Sequence, residues 1–341
     1  MRTFGRGGPF ALGVVAGYAA DTVFGDPRRG HPVAGFGQAA GALERRLWRD
    51  RRDTGAVFTA VCVGTVTGAA VCAERLAGRG AAQRGSSGHG ASRRAAVART
   101  LLTGAATWTV LGGASLVREA RTVGDALATG DLAAARDRLP YLCGRDPREL
   151  TEQQVARAVV ESVAENTADA VVNALVWGAL AGPPGLLAFR AVNTLDAMVG
   201  HRSARHLRFG WASARLDDVA GWPGARLTAL LAVAAAGPEH RADAWRVWRR
   251  DASAHPCPNA GQAEAAFAGA LGVRLGGTLR YGERVEHRPV LGEELRPVEV
   301  ADIERACELS RRVGLLAVAV TALAGLMRAG LMRAGLMRGR R

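Results

Sequence analysis

Three stretches of this chain, residues 55–73, 100–117 and 170–189, contain no charged side chain. Each is close to the ~20 residues that a helix needs to cross ~30 Å of hydrocarbon. Three shorter apolar stretches, 7–20, 227–238 and 313–327, suit core helices or re-entrant segments. The mean hydropathy of +0.03 looks like that of a soluble protein, but it averages apolar runs with arginine-rich loops. The pattern predicts an all-α, polytopic membrane bundle, with polar and amphipathic helices between its spans, placed in a cell membrane and crossing it several times. One membrane-embedded domain is expected over 1–327, with a Gly/Ser/Ala-rich flexible loop at about 78–92. Beyond it lies a low-complexity, arginine-rich tail at 328–341, since Ala-Gly-Leu-Met-Arg recurs three times between Ala324 and Arg338. Arginine clusters flank the 55–73 run on both sides, seven in 28–52 and six in 75–99, so the positive-inside rule does not orient it. Residues 1–20 have the outline of a signal peptide. Against cleavage, a dense polar motif follows the apolar run without a spacer.

All 45 basic residues counted as Lys+Arg are arginine. The absence of lysine excludes a P-loop, a protein kinase and a pyridoxal enzyme, each of which uses a lysine amine. A net charge of +14 would suit nucleic acid. However, aromatic residues are only 5% and the arginines are scattered between apolar blocks. Arginine-rich loops beside membrane spans account for the charge better, and no nucleic-acid partner is expected. The five cysteines are widely spaced and form no C-x-x-C pair, which argues against a zinc ribbon, an iron–sulfur site or a disulfide framework.

The densest polar group on the apolar background is 161–169, ESVAENTAD. At about 100° per residue, Glu161, Glu165 and Asp169 fall within about 80° of one helical face. Like charges so spaced repel by a few tenths of a kcal/mol in an isolated helix, so the stripe calls for a cation, arginines or water opposite. A solvated helix face is the bland reading; position at a membrane boundary favours function. Arg190, Asn193 and Asp196 share a second face, where an intrahelical network is the bland reading. Arg215, Asp217 and Asp218 follow, and adjacent carboxylates diverge on a helix, so one can hold Mg²⁺ while the other pairs with Arg215. In 255–261, HPCPNAG, two prolines and a glycine impose irregular backbone. His255 there suits a general base or anion ligand, although a lone histidine before proline is more often a turn residue. Asp21, Asp26 and His31 form a further polar segment. The spacing H-P-x4-G-Q occurs at both His31 and His255, and by sequence alone is read as coincidence.

Together these stretches resemble the adenosylcobinamide-phosphate synthase family of cobalamin biosynthesis. The matching segments are 21–31 (DTVFGDPRRGH), 161–169 (ESVAENTAD), 190–200 (RAVNTLDAMVG), 209–218 (FGWASARLDD) and 255–277 (HPCPNAGQAEAAFAGALGVRLGG). The resemblance spans most of 13–291. Ala170 stands where the family has glycine, and Gln262-Ala263 where Trp-Pro is usual, which puts the shape of that loop in question. The family implies a multi-pass membrane ligase that forms an amide between a propionate carboxylate of adenosylcobyric acid and aminopropanol or its phosphate, using ATP. Its partners would be those reactants, the bilayer and other membrane enzymes of the pathway.

On that resemblance, ATP converts the carboxylate to an acyl phosphate before the amine attacks. Glu161, Glu165, Asp217 and Asp218 are assigned to Mg²⁺, and Arg190 and Arg215 to phosphate oxygens. Asn166, Asn193, Asp196 and His31 are assigned to substrate. Glu165, Asp169, His255 and Asn259 are assigned to the chemistry, the last two orienting or deprotonating the amine. A membrane corrinoid carrier and a non-catalytic assembly subunit are the alternatives.

Overall fold

The computed structural model describes residues 7–27, 30–79, 88–144, 146–201, 203–281 and 284–338. The uncharged run at 55–73 lies inside one helix, α3 (Arg52–Arg79). Only 22% of its most apolar window is buried, and Val57, Val61 and Leu76 are exposed. A helix that turns apolar side chains outward along its length suits hydrocarbon better than water. Two further stretches are long and apolar enough to cross a membrane: 92–128 and the N-terminal part of α13 (Ala301–Arg338). The first is not continuous, because α4 (Gly88–Val110) and α5 (Gly113–Ala128) are separated at Leu111 and Gly112.

The run at 170–189 departs from its expected single span. A π-helical turn (Ala168–Val172) leads into α8 (Asn173–Ala181), and the chain then reverses into α9 (Pro183–Leu195). Gly182, with φ +70°, and the Pro183-Pro184 pair cause the break. The positive φ favours glycine, and proline has no amide proton with which to continue α8. Gly185 then lets α9 approach closely, since a Cβ there would lie 2.1 Å from the Trp177 carbonyl oxygen. The loop expected at about 78–92 falls largely outside the described residues. The repeat-bearing tail is helical through Arg338 as the end of α13.

The described chain divides into two compact units, 1–111 with 173–220 and 318–341, and 112–172 with 221–317. In the first unit, α1 (Gly7–Phe24) packs on α4 through glycines. A Cβ at Gly13 or Gly17 would lie 2.5 Å from the Cβ of Thr103 or Thr107 respectively, the close approach that small residues allow between apolar helices. α2 (Pro32–Leu47) packs on α3 and α9. Around it Ala40, Phe58, Cys62, Leu195, Val199 and Phe209 form a buried core. A second π-helical turn, Asp196–Gly200, ends α9, and α10 (Trp211–Ala235) begins in this unit.

In the second unit α5, α6 (Leu132–Arg138) and α7 (Glu152–Thr167) pack together. Thr151 starts α7 with a reciprocal capping box to Gln154, which satisfies two otherwise open amides. α11 (Arg241–Asp251) packs on α12 (Ala260–Leu271), and α12 packs on α7. After α12, Gly272 in the left-handed region hands the chain to a small sheet that the all-helical reading does not contain. Strands β1 (Val273–Tyr281) and β2 (Arg284–Leu291) pair antiparallel, with a bulge between Gly276 and Gly277. The short β3 (Arg296–Pro297) lies parallel to β1 on its other edge. Asp302 then caps α13, accepting the Glu299 amide and pairing with Arg296 and Arg305.

The α1–α4 contact gives a direct test. Gly17→Val places branched carbons against Thr107 and the Gly104 carbonyl. It is expected to cost about 1–3 kcal/mol, read as a lower thermal midpoint of the detergent-purified protein.

Candidate functional site

Two polar clusters emerge, one in each unit, and both begin where a helix loosens. In the second unit, Asn166 donates to the Ser162 carbonyl at 2.9 Å and Thr167 Oγ1 to the Val163 carbonyl at 2.6 Å. Side chains that occupy carbonyls four residues back compete with the helical amides and bend the helix. The π turn at Ala168–Val172 follows at once and carries Asp169. Such turns are frequent at functional sites. In the first unit Thr194 Oγ1 donates to the Arg190 carbonyl at 2.7 Å, and the π turn at Asp196–Gly200 follows. The sequences correspond: Asn166-Thr-Ala-Asp-Ala-Val-Val and Asn193-Thr-Leu-Asp-Ala-Met-Val are both N-T-x-D-A-x-V.

The two His-Pro segments correspond as well, in geometry as in spelling. His31 Nδ1 accepts the Val33 amide at 3.2 Å, and its Nε2 lies 3.3 Å from an Asp26 oxygen. His255 Nδ1 accepts the Cys257 amide at 3.1 Å, with the Cys257 carbonyl 3.2 Å away, and its Nε2 lies 3.7 Å from Glu264 Oε1. Each ring caps its own turn on one side and faces a carboxylate on the other. The coincidence of H-P-x4-G-Q is therefore a repeated device, and of the roles open to His255 this geometry serves orientation better than proton abstraction. Gly261 makes room for it, since a Cβ there would lie 2.4 Å from His255 Cβ. Each unit holds one copy of each motif, and in each the His-Pro helix packs on the Asn-Thr helix, α2 on α9 and α12 on α7.

The second unit gathers Glu165, Asp169, Asn166 and the 255–259 turn. The Cys257 thiol is pushed up to about 11 by burial; the Ala260 and Asn259 amides pull the other way, and the Glu165 and Asp169 carboxylates raise it further. The thiol thus lies within the field of both carboxylates and is protonated at neutral pH. Asn259 is buried, and its Oδ1 accepts from Arg226 Nη1 at 3.1 Å. Arg226 is absent from the sequence-derived set. Its one signal is the Pro223-Gly224 pair just before it inside α10, which is faint among so many arginines. Glu161 leaves the expected stripe: it is 2% exposed, and its Oε1 accepts the Gly276 amide at the sheet bulge at 2.8 Å. Gln262, where the family resemblance leads one to expect Trp, accepts from Trp248 Nε1 at 2.9 Å.

The first unit gathers Asn193, Asp196, Asp217, Asp218 and Arg215. Asp218 pairs with Arg215 at 3.3 Å, while Asp217 faces the Asn193 amide at 3.4 Å. Arg190 is half-buried on the same helix. Burial holds the Asp196 carboxyl above its ordinary pKa; His201 lowers it and Asp218 raises it. Gly200 leaves room for this carboxylate, since a Cβ would lie 1.9 Å from Asp196 Oδ1 and the side chain would have to shift. Among the described residues no group of three or more His, Cys, Asp or Glu could hold a metal. Mg²⁺ needs only one or two protein carboxylates when water and phosphate complete its shell. Glu165 with Asp169, or Asp217 with its neighbour, meets that demand better than Glu161.

This is a helical protein with membrane-length apolar helices, whose arginine, carboxylate and asparagine side chains gather at helix interruptions. It belongs to the CobD/CbiB family: the family model described as CobD/Cbib protein matches residues 14–310. The protein called cobalamin biosynthesis protein CobD from Mycobacterium tuberculosis is 51% identical over 306 residues, covering 89% of this chain and 92% of that one. Proteins of the same name from Geobacter metallireducens and Rhodobacter capsulatus are 43% identical over 293 residues and 37% identical over 326. They cover 84% and 91% of this chain, and 87% and 98% of their own lengths. No solved structure matches the chain.

Two substitutions separate scaffold from site. Glu161→Ala orphans the Gly276 amide and is expected to cost about 1–3 kcal/mol, whereas Glu161→Gln, which keeps an acceptor, costs less; thermal midpoints decide. For Asp196 the folded state holds a proton more tightly than the unfolded chain. Its contribution is therefore favourable below the ordinary aspartate pKa and is lost as pH rises through the raised value. Asp196→Asn is expected to raise the midpoint at neutral pH and to flatten its pH dependence above the ordinary aspartate pKa.

Proposed function

We propose that this protein is the ligase that joins (R)-1-amino-2-propanol O-phosphate, or aminopropanol, to a propionate carboxylate of adenosylcobyric acid. The product amide is adenosylcobinamide phosphate or adenosylcobinamide, a step of cobalamin biosynthesis, with the chain embedded in the cell membrane and crossing it several times. The reading is supported by family membership together with one structural observation. The motifs that carry the resemblance fold into two clusters at helix interruptions, where ionisable groups beside apolar helices are usually functional.

A carboxylate is a poor electrophile, and ATP with Mg²⁺ would supply the phosphoryl group that activates it. Glu165 and Asp169 would hold the metal or the amine, and Asp217 is the corresponding candidate in the first unit. Arg190 would meet phosphate charge, a task for arginine in a chain without lysine. Asn166, Asn193 and Asn259 would orient substrate through their amides. His255 and His31, capped on their own turns, would fix the loops that carry these groups.

The test is incubation of the detergent-purified protein with adenosylcobyric acid, aminopropanol phosphate, ATP and Mg²⁺, following the corrinoid by mass. A mass gain equal to amide formation, lost without ATP, is expected. A gain that persists without ATP removes the nucleotide from the reading. No gain with either amine, from folded protein, turns the reading to a carrier or to a subunit that needs a partner. Glu165→Gln is expected to lower turnover by about 100-fold or more at an unchanged thermal midpoint, and full turnover would remove Glu165 from the chemistry.

A further inference from the structure

The second unit contains a cation for which the sequence-derived site has no role. Arg226 is half-buried on α10. Its Nη1 donates to the Trp222 carbonyl at 3.2 Å and to Asn259 Oδ1 at 3.1 Å, and the guanidinium sits 4.5 Å from the Trp222 ring centroid. Among the described residues it has no carboxylate partner, unlike Arg215, Arg246, Arg250 and Arg296. Burial accordingly lowers its pKa from the usual arginine value. A guanidinium held in place by an amide and an indole, with donors to spare and no counter-charge, is prepared for an anion.

The repeated motifs show which residues set this unit apart. Aligning the two H-P-x4-G-Q segments puts Asn259 opposite Gly35, and aligning the two N-T-x-D-A-x-V segments puts Glu165 opposite Val192. On a shared scaffold, the second unit alone has the asparagine that holds Arg226 and a carboxylate just before Asn166. α7, which ends beside Glu165 and Asp169, packs on α12 directly after the 255–259 turn, both carboxylates raise the Cys257 thiol in that turn, and Arg226 touches the turn at Asn259. Negative groups and a positive group that both adjoin one turn match a small molecule bearing both an ammonium and an anion.

We propose that Arg226, fixed by Asn259 and Trp222, binds the phosphate of an aminoalkyl phosphate whose ammonium faces Glu165 and Asp169, and so sets the preference for the phosphorylated amine. This rests on the amide-forming reading for its reaction, but not for its binding step.

The experiment compares wild type, Arg226→Gln and Arg226→Lys, purified in detergent, in two assays. Calorimetry with aminopropanol phosphate and with inorganic phosphate reads binding. Competition between phosphorylated and free aminopropanol reads the ratio of their kcat/KM values. Arg226→Gln is expected to weaken aminopropanol phosphate binding, and to lower the ratio, by about 10- to 100-fold, with Arg226→Lys in between because it keeps the charge without the planar fork. Should the glutamine variant fail to fold, the lysine variant decides by the same measures. An unchanged ratio and unchanged binding overturn the proposal. So does an equal loss with both amines together with a raised KM for ATP, which would give Arg226 to the nucleotide. A wild type that binds aminopropanol phosphate through Arg226 yet forms no amide would sink the ligase reading and leave this inference standing.

Discussion

A helix packed inside a protein has little freedom to leave a carbonyl or an amide unpaired, because no water is there to replace the lost bond. Both polar clusters depend on how that constraint is met at the two Asn-Thr-x-Asp sequences. The threonine hydroxyl satisfies the carbonyl four residues back, at Val163 in one copy and Arg190 in the other. With its carbonyl already served, the ladder can widen to a π turn without orphaning a group. The turn brings Asp169 or Asp196 to a stretch that is no longer bound to strict helical register. Glu161 and Glu165 both precede the π turn on regular α7 and differ in burial, whereas Asp169 lies on the widened turn itself.

The His-Pro turns meet a related demand at the entrance to a helix. Proline removes one amide, and the preceding histidine takes the amide two residues on with Nδ1. That leaves Nε2 toward a carboxylate, Asp26 in one unit and Glu264 in the other. Glu264 and the His255 ring are both nearly inaccessible to solvent, so their pairing works against a low dielectric and removing one partner leaves the other stranded. The turn is therefore rigid for reasons internal to it, and Asn259 inherits that rigidity. Arg226 is positioned in turn by Asn259.

Much of this was legible in the sequence. The uncharged run at 55–73 foretold a helix of membrane length, and the clustered Glu, Asn, Asp and Arg residues drew attention to the two polar clusters. Other features lay below the resolution of pattern reading. The 170–189 run looks continuous by hydropathy, which does not register that Gly182 and two prolines reverse the chain. The hairpin of β1 and β2 carries arginines and glycines among its apolar residues, so a search for charge-free runs passes over it. Glu161 has the right spacing for the stripe, but its burial against the Gly276 amide depends on a strand more than a hundred residues away. Arg226 is one arginine among many until Asn259 is seen to touch it.

The order of the repeats bears on what the units do. Along the chain the motifs run His-Pro, Asn-Thr, Asn-Thr, His-Pro, and the two units divide them so that each receives one of either kind. Simple tandem duplication would give His-Pro, Asn-Thr twice over; this order interleaves the units, with the chain passing between them inside α10 and α13. Two motifs present in both units are then free to diverge at their flanks while keeping the bonds that hold their own turns. The retained positions include structural ones, the capped histidine and the back-bonded threonine, beside the asparagine and the π-turn aspartate. Among the positions that differ are Arg190 against Val163, Glu165 against Val192, and Asn259 against Gly35. All three exchange an apolar or absent side chain for one that can read charge. On the proposed reading, amide formation brings together a carboxylate and an amine, two reactants of different charge, and motifs repeated in backbone but not in charge suit treating them differently.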